Sequence, residues 1–265
     1  MHNSVLPSDK RGSVIRSSAL TDAGRSRQTN EDCYLLNDRL GLFVLADGMG
    51  GHASGEVASE LASRTIEDFL KAVDERRELT WPFGYEVKNP YEHNVLRTAF
   101  KLANVKVRQA AAQELKWSGM GCTIVAAWVR ENGCFYSYVG DSRLYLLRQG
   151  QLRQLSHDHT LVAEQVRLGL ISPEEAKVHE LRHVVTRAIG GRERLEVDVN
   201  QERLLPHDVL ALFSDGITDE LTDSEICGIL FAERTLDERC RQLVDAANEA
   251  GGEDNLTVVL LENQP

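Results

Sequence analysis

Short runs of branched, aromatic and other apolar residues recur along the chain, and most end at a glycine or a polar turn. Runs of this length and composition are typical of β-strands. They come in close succession in both the first and the second half of the chain. The predicted strands are SVIRSSALTD, CYLLND, LGLFVLAD, CTIVAAWV, CFYSYVGDSRLYLLR, QLRQLS, LEVDVNQERL, DVLALFSD and LTVVLLEN.

Other segments repeat apolar residues every three or four positions, which is the spacing of one helix face. One such helix follows the glycine turn at residues 48–51, and a second covers about residues 95–115. The segment TWPFGYEVKNPYEH between them contains two prolines and a glycine, so it is predicted to be a loop. Residues 160–190 are predicted to be helical and polar. Capping boxes mark helix starts at Ser172, Thr222 and Thr235.

The order of these elements indicates an α+β fold. Strands come in hairpin-like runs, one of them joined at Asn132-Gly133, and helices come in pairs. A parallel sheet would need strict alternation of strands and helices, so antiparallel sheets with helices packed outside are predicted. Residues 1–12 are polar and lack periodicity, which predicts a flexible tail. No linker or repeat interrupts the remainder, so residues 13–265 are predicted to form a single domain.

Composition narrows the class of protein. The formal charge of −11, from 41 acidic and 30 basic residues, argues against nucleic acid as a partner. Five cysteines without a C-x-x-C pair argue against a disulfide framework or a cysteine-rich zinc site and fit a reducing cytoplasm. The chain has no secretory leader pattern, and no apolar run approaches the roughly 20 residues that span a bilayer. We therefore expect a cytoplasmic protein without a membrane partner.

The stretch LFVLADGMGGHASGE, residues 42–56, admits two interpretations. Its Gly48-Met49-Gly50-Gly51-His52-Ala53 segment matches G-x-G-x-x-A between a strand and a helix, the context of a dinucleotide-binding turn. Two features oppose that interpretation. Asp47 at the strand end would repel a pyrophosphate, and the strand-rich order does not supply a doubly wound sheet. A nucleotide-binding oxidoreductase stays an alternative, which tight NAD binding would support.

The second interpretation is a metal site. Three further segments place an aspartate beside an apolar run, at Asp141, Asp215 and Asp254, each next to glycine or asparagine. A single aspartate of this kind is most often a turn or helix-cap residue. Four of them can converge when their strands lie in adjacent sheets, and close carboxylates cannot all stay ionised without a cation between them. Hard oxygen ligands select Mg²⁺ or Mn²⁺.

The order of these motifs resembles a known family, the metal-dependent protein phosphatases (type 2C serine/threonine phosphatases), in their compact bacterial form. The resemblance runs from about residue 13 to residue 262. No one motif is specific alone, but all occur in the family's order. They are Arg27-x-x-Asn30-Glu31-Asp32, Ala46-Asp47-Gly48-Met49-Gly50-Gly51-His52, Gly119-Met120-Gly121-Cys122-Thr123, Val139-Gly140-Asp141-Ser142-Arg143-Leu144-Tyr145, Ser214-Asp215-Gly216 and Gly252-Glu253-Asp254-Asn255-Leu256-Thr257.

The resemblance implies a four-layer α-β-β-α sandwich with two Mn²⁺ or Mg²⁺ ions at one end. Its implied activity is hydrolysis of phosphoserine and phosphothreonine in proteins by a metal-activated water. The implied partners are phosphorylated proteins and a serine/threonine kinase whose action it reverses. The implied roles are a bridging ligand for Asp47, a carbonyl ligand for Gly48, ligands of one ion for Asp215 and Asp254, contacts to metal-bound waters for Glu31 and Asp32, and phosphate binding for Arg27.

Three departures from the family pattern qualify these expectations. Some members have a histidine where this chain has Met49, so the general acid is unassigned, and a cap or surface role is expected for His52. Ser118 stands where bacterial members often have an aspartate, which predicts a weak or absent third ion with Asp141 and Asp158 as its remaining ligands. Residues 156–190 correspond to the family's flap, with or without a role in selecting substrates.

A second functional hypothesis belongs to another class, a catalytically weak phosphatase-like module that binds and regulates a partner. Retention of the predicted ligands Asp47, Asp215 and Asp254, together with Arg27, favours the enzyme. For Arg27 itself, the simplest structural role is a surface ion pair with Asp22 or Glu31, and only the motif argues for phosphate binding.

Overall fold

Two five-stranded antiparallel sheets form the centre of the protein. The structure, a computed structural model, describes residues 15–50, 54–75, 80–130 and 133–264. The tail at residues 1–12, His52 and Asn132 lie outside these ranges, as do the expectations attached to them. Sheet A has the order β1 (Ile15–Asp22), β10 (Leu256–Asn263), β9 (Val209–Phe213), β6 (Arg143–Arg148) and β7 (Gln151–Gln154). Sheet B has the order β2 (Cys33–Asn37), β3 (Leu42–Met49), β4 (Gly121–Arg130), β5 (Gly133–Val139) and β8 (Asp198–Glu202).

Helices cover the outer face of each sheet. On sheet B lie α1 (Ser54–Asp74) and α2 (Tyr91–Gln113), which is followed by a 3₁₀ helix, Leu115–Trp117. On sheet A lie α5 (Asp215–Glu220), α6 (Asp223–Phe231) and α7 (Leu236–Ala250). Two short helices, α3 (Leu161–Arg167) and α4 (Pro173–Lys177), belong to the flap, residues 156–190. The predicted α-β-β-α sandwich is confirmed. No helix among the described residues is both long and apolar enough to cross a membrane.

Strand β3 explains how the layers are held together. Phe43 and Leu45 point into the core between the sheets, while Leu42, Val44 and Ala46 pack against α1 and α2. All of these side chains are fully buried, because the strand is covered on both faces. The apolar run stops where the next residue, Asp47, leaves this core, so the end of the strand marks the edge of the sandwich.

Several element boundaries differ from the sequence-based prediction. The run CFYSYVGDSRLYLLR is two strands, β5 in sheet B and β6 in sheet A, because Gly140 has a φ of +112° and turns the chain between the sheets. Helix α2 begins at Tyr91, directly after Pro90, inside the segment predicted as a loop. Helix α5 was not predicted. In the flap, only α3 and α4 are helical, and residues 178–190 are irregular.

The capping boxes were predicted correctly. At Ser172, Thr222 and Thr235 the hydroxyl accepts a hydrogen bond from the backbone N–H of the glutamate three residues later. The carboxylate of that glutamate accepts a hydrogen bond from the backbone N–H of the cap residue. Each box satisfies two donors that the first helical turn leaves without an internal partner. Local sequence therefore fixes where α4, α6 and α7 begin.

Candidate metal centre

Four predicted aspartates lie at one end of the sandwich. Asp47 follows the buried part of β3, Asp141 follows β5, Asp215 begins α5 directly after β9, and Asp254 precedes β10. Strands β3 and β5 run in the same direction because both are antiparallel to β4. The end of β9 likewise lies beside the start of β10, its antiparallel neighbour. The topology therefore brings strand ends from both sheets to one edge, as the sequence predicted.

Asp32 adds a fifth carboxylate to this cluster. Its Oδ2 accepts a hydrogen bond of 2.5 Å from Thr257 Oγ1. The preceding residue, Glu31, is held on both sides, because its N–H donates to Asn255 Oδ1 at 2.9 Å and its carbonyl accepts from Ser59 Oγ at 2.7 Å. The segment that carries Glu31 and Asp32 is thus anchored to α1 and to the turn that bears Asp254.

Four carboxyl groups of the cluster, those of Asp32, Asp47, Asp141 and Asp215, have raised pKa values. Burial is the largest cause, and the charges of neighbouring aspartates raise these pKa values further. The surrounding protein excludes most water from these four carboxyl groups, although some of the side chains are partly exposed. The pKa of Asp215 rises to about 6, that of Asp32 to about 7 and that of Asp141 to about 8, and that of Asp47 lies well above its usual value.

These residues fit a divalent metal centre. Asp32 Oδ1 and Asp215 Oδ1 are buried and have no hydrogen-bond partner within the protein. Buried carboxylate oxygens without a partner are costly, and a cation between them removes both the desolvation penalty and the mutual repulsion. An all-oxygen donor set of carboxylates and a backbone carbonyl suits Mg²⁺ or Mn²⁺.

The glycines after Asp47 serve a close approach of three backbone segments. A Cβ on Gly48 would lie 2.3 Å from the Gly55 carbonyl oxygen and 2.5 Å from that of Glu31. A Cβ on Gly55 would lie 2.1 Å from Glu31 Oε2. Because neither position has room for a side chain, β3, the start of α1 and the Glu31 segment meet directly beside Asp47.

The raised pKa values predict that the metal-free protein loses stability as the pH rises. A carboxyl with a pKa higher in the folded than in the unfolded state binds more protons when folded, so its ionisation favours unfolding. Between about pH 6.5 and 8.5, Asp32 and Asp141 both ionise, whereas His93, whose pKa is lowered by burial, is already neutral. We expect the Tm of EDTA-treated protein to fall across this window in thermal unfolding followed by circular dichroism.

The same measurement with saturating Mn²⁺ provides the control, since bound cations stabilise the ionised form of the carboxylates around them, both ligands and close neighbours. With Mn²⁺ bound, the Tm should no longer fall with pH. In the metal-free protein, Asp141→Asn should make the fall in Tm smaller. A metal-free Tm that is constant or rises with pH in this window would contradict the electrostatic origin of the cluster's pKa values.

Arg27 contacts the cluster through Asp254, a residue 227 positions away in the sequence. Its Nη2 donates to Asp254 Oδ2 at 2.7 Å, while both side chains stay partly exposed to solvent. The simple expectation of a surface pair with Asp22 or Glu31 is therefore not what the structure has. The guanidinium lies beside a predicted metal ligand, where a phosphate oxygen could replace the carboxylate as its partner.

The residues predicted for a third ion are not equivalent. Both oxygens of Asp158 accept hydrogen bonds from Arg143, at 2.7 to 3.1 Å, and Oδ1 also accepts from Gln154 Nε2. Ser118 is exposed at the end of the 3₁₀ helix. Asp141, by contrast, is buried, and the charge of Asp215 raises its pKa. A weak or absent third ion stays a prediction, and Arg143 makes Asp158 a poor ligand for it.

Sequence reasoning missed two residues near the cluster. One donor atom from each of His183, Asp215 and Asp219 lies within 4.8 Å of the others, and His183 Nδ1 is 3.3 Å from Asp219 Oδ2. Asp219 could have been found, because the sequence DGITDE places it one helical turn after Asp215. His183 lies in the irregular part of the flap, where no local pattern predicts a contact with α5.

Comparison with known proteins decides the family. Residues 22–260 match the family described as protein phosphatase 2C. The serine/threonine phosphatase stp of Listeria monocytogenes is 39% identical over 249 residues, which cover 91% of this chain and 93% of that protein. The chain belongs to the protein phosphatase 2C family. The resemblance inferred from the six motifs is thereby confirmed.

Solved phosphatase 2C structures share the whole architecture. The serine/threonine phosphatase PstP/Ppp of Mycobacterium tuberculosis superposes with a TM-score of 0.83 at 33% identity, covering 95% of this chain and all of that one. The catalytic domain of PstP, solved in complex with two manganese ions, gives a TM-score of 0.79 at 32% identity, with 95% and 99% covered. In both comparisons the superposition covers at least 95% of each chain, so the likeness extends over nearly the whole of this protein.

Proposed function

We propose that this chain hydrolyses phosphoserine and phosphothreonine in proteins, with two Mn²⁺ or Mg²⁺ ions held by Asp47, the Gly48 carbonyl, Asp215 and Asp254. The observation that carries the proposal is the convergence of desolvated carboxylates from both sheets, two of them with unpartnered buried oxygens. Membership of the protein phosphatase 2C family supports it, as does the two-manganese complex of PstP.

The ions, when bound, supply a Lewis-acidic centre that lowers the pKa of a water and offsets charge on phosphoryl oxygens. The chain's own residues provide position. Glu31 and Asp32 stand on a segment fixed at both ends and can accept hydrogen bonds from water next to the ions. The Arg27 side chain is 56% exposed, so it can rotate away from Asp254 and donate hydrogen bonds from its planar guanidinium to two phosphate oxygens.

The regulatory binding module is the weaker candidate, because a protein that only binds a partner has no need for a cluster of this electrostatic cost. We also propose that residues 13–265 act as one catalytic domain with the flap beside the centre. A serine/threonine kinase acting on the same substrates is the natural counterpart of such an enzyme, and this pairing rests on analogy with the family.

The proposed function is tested by Mn²⁺-dependent phosphate release from a phosphothreonine peptide. Asp215→Asn should lower kcat by at least about 100-fold, because it removes a charged ligand from the centre. Asp208→Asn is the control: Asp208 is a buried carboxylate paired with Arg148, at the other end of β9 from the centre. Activity that needs no divalent cation would refute the mechanism. So would an Asp215→Asn variant that is as active as the Asp208→Asn variant.

A further inference from the structure

The two arms of the flap meet at His159. The His159 carbonyl, on the outgoing arm, accepts hydrogen bonds from Thr186 N–H at 2.7 Å and from Thr186 Oγ1 at 3.1 Å on the returning arm. The adjacent residues Thr160 and Val185 form an isolated antiparallel β-bridge. The flap is therefore closed at its base, and His159 is the outgoing residue that holds the returning arm.

The same histidine is bound to the turn that carries Asp141. His159 N–H donates to the Gly140 carbonyl at 2.9 Å, and Gly140 N–H donates to His159 Nδ1 at 3.1 Å. Gly140 has a φ of +112°, and a Cβ there would lie 2.3 Å from Thr123 Cβ, so this turn requires glycine. The two reciprocal hydrogen bonds between His159 and Gly140 fix the flap base to the residue directly before Asp141.

The imidazole ring is held on its remaining sides as well. Since Nδ1 accepts from an amide, the ring proton lies on Nε2, which donates to Asp198 Oδ2 at 2.8 Å. Asp198 also binds Arg187 of the returning arm at 3.0 Å, and the ring stacks on Tyr138 with centroids 5.4 Å apart. Only 6% of His159 is exposed, and both ring nitrogens are used.

We propose that His159 is a positioning residue that pins both flap arms to the Gly140–Asp141 turn and so sets how the flap lies over the carboxylate cluster. A histidine that only filled the core would not need backbone and side-chain bonds to three separate segments. Through this anchor, the flap holds His183 beside Asp219 and Asp215. The inference rests on the proposed function for its catalytic meaning, but its geometry is independent of the reaction.

Three substitutions separate the bonds of the ring. His159→Asn keeps an acceptor near the Nδ1 position for Gly140, His159→Gln keeps a donor near the Nε2 position for Asp198, and His159→Phe keeps only the ring. Asn94→Ala is the control for general destabilisation, because Asn94 is a buried polar residue whose hydrogen bonds join the start of α2 to residues 86–90 and to Arg97. The readouts are hydrogen exchange of flap amides and Mn²⁺ affinity by calorimetry.

We expect His159→Gln to raise amide exchange in residues 161–185 by about tenfold, the effect of losing the one buried hydrogen bond from Gly140, and His159→Phe, which loses both ring bonds, to raise it by at least that much. Both variants should weaken Mn²⁺ binding. His159→Asn should stay within about twofold of the unsubstituted protein, because the Asp198 carboxylate that it leaves behind is 43% exposed to water and keeps its bond to Arg187. If His159→Phe does not fold, the comparison of His159→Gln with His159→Asn decides.

Equal flap exchange in all variants, or an increase spread evenly over the chain as in Asn94→Ala, would overturn the proposal. Hydrogen exchange needs no substrate. A protein without phosphatase activity would therefore refute the proposed function, while flap exchange in the same protein would still decide the role of His159.

Discussion

Replacing Asp47 with asparagine is expected to lower Mn²⁺-dependent hydrolysis of a phosphothreonine peptide by roughly 1000-fold or more. Asp47 is a proposed ligand, and the family resemblance implies that it would contact both ions, so its loss would remove charge beside each of them. The same substitution should raise the Tm of the metal-free protein near pH 8. Burial and the charges of Asp32, Asp215 and Asp141 make ionisation of Asp47 unfavourable, and asparagine cannot ionise.

The two opposite effects make this a strict test. Activity is measured as phosphate release with saturating Mn²⁺, stability as thermal unfolding in EDTA, and metal binding as calorimetric titration. Asp208→Asn again serves as the control, since its buried carboxylate is paired with Arg148 and its loss should destabilise the fold while sparing activity. An Asp47→Asn protein that keeps its activity, or that is less stable without metal than the parent, would contradict the assignment.

Replacing Gly48 with alanine is expected to cost on the order of 3 kcal/mol in the free energy of unfolding and to abolish high-affinity Mn²⁺ binding. The new methyl group would meet the Gly55 carbonyl oxygen at 2.3 Å, the Gly55 carbonyl carbon at 2.4 Å and the Glu31 carbonyl oxygen at 2.5 Å. All three are backbone atoms, so no rotation of a side chain can relieve the contact. The segments that carry Asp47 and Glu31 must move apart.

Gly228→Ala provides the matched control for this substitution. Gly228 lies in α6, and a Cβ there would have no neighbour within 4 Å. Alanine has the higher helix propensity, so this variant should gain about 0.5–1 kcal/mol in urea unfolding. If Gly48→Ala were as stable and bound Mn²⁺ as tightly as Gly228→Ala, the close approach beside Asp47 would not be needed for the centre.

Much of the fold could be predicted because its signals are local. The unbroken apolar run before Asp47 marks a strand covered on both faces, and the capping boxes locate three helix starts. The split of CFYSYVGDSRLYLLR could not be predicted, because both halves read as strand. Which sheet each half joins depends on distant partners: Val139 pairs with Ile124, and Arg143 pairs with Phe213.

The same division applies to the candidate site. Strand-end aspartates such as Asp47 and Asp215 are visible in the sequence because each interrupts an apolar run. The pairing of Arg27 with Asp254 spans 227 positions, and no periodicity connects them. The contact of His183 with Asp219 and the hydrogen bonds of His159 at the flap base depend on how the irregular flap packs against the rest of the protein. Tertiary packing alone determines those contacts.

The proposed ligands come from two separate hydrogen-bonded ladders, since Asp47 belongs to sheet B while Asp215 and Asp254 flank strands of sheet A. No β-ladder hydrogen bond joins the described strands of one sheet to those of the other. The spacing of these carboxylates therefore depends on interdigitated side chains such as Leu45, Leu212 and Val259, together with the few hydrogen bonds from the Glu31–Asp32 segment to sheet A. The core between the sheets therefore sets the distances between the proposed ligands. A substitution that removes a methyl group from this core would let one sheet shift slightly relative to the other, and it would weaken cation binding well before it unfolds the protein.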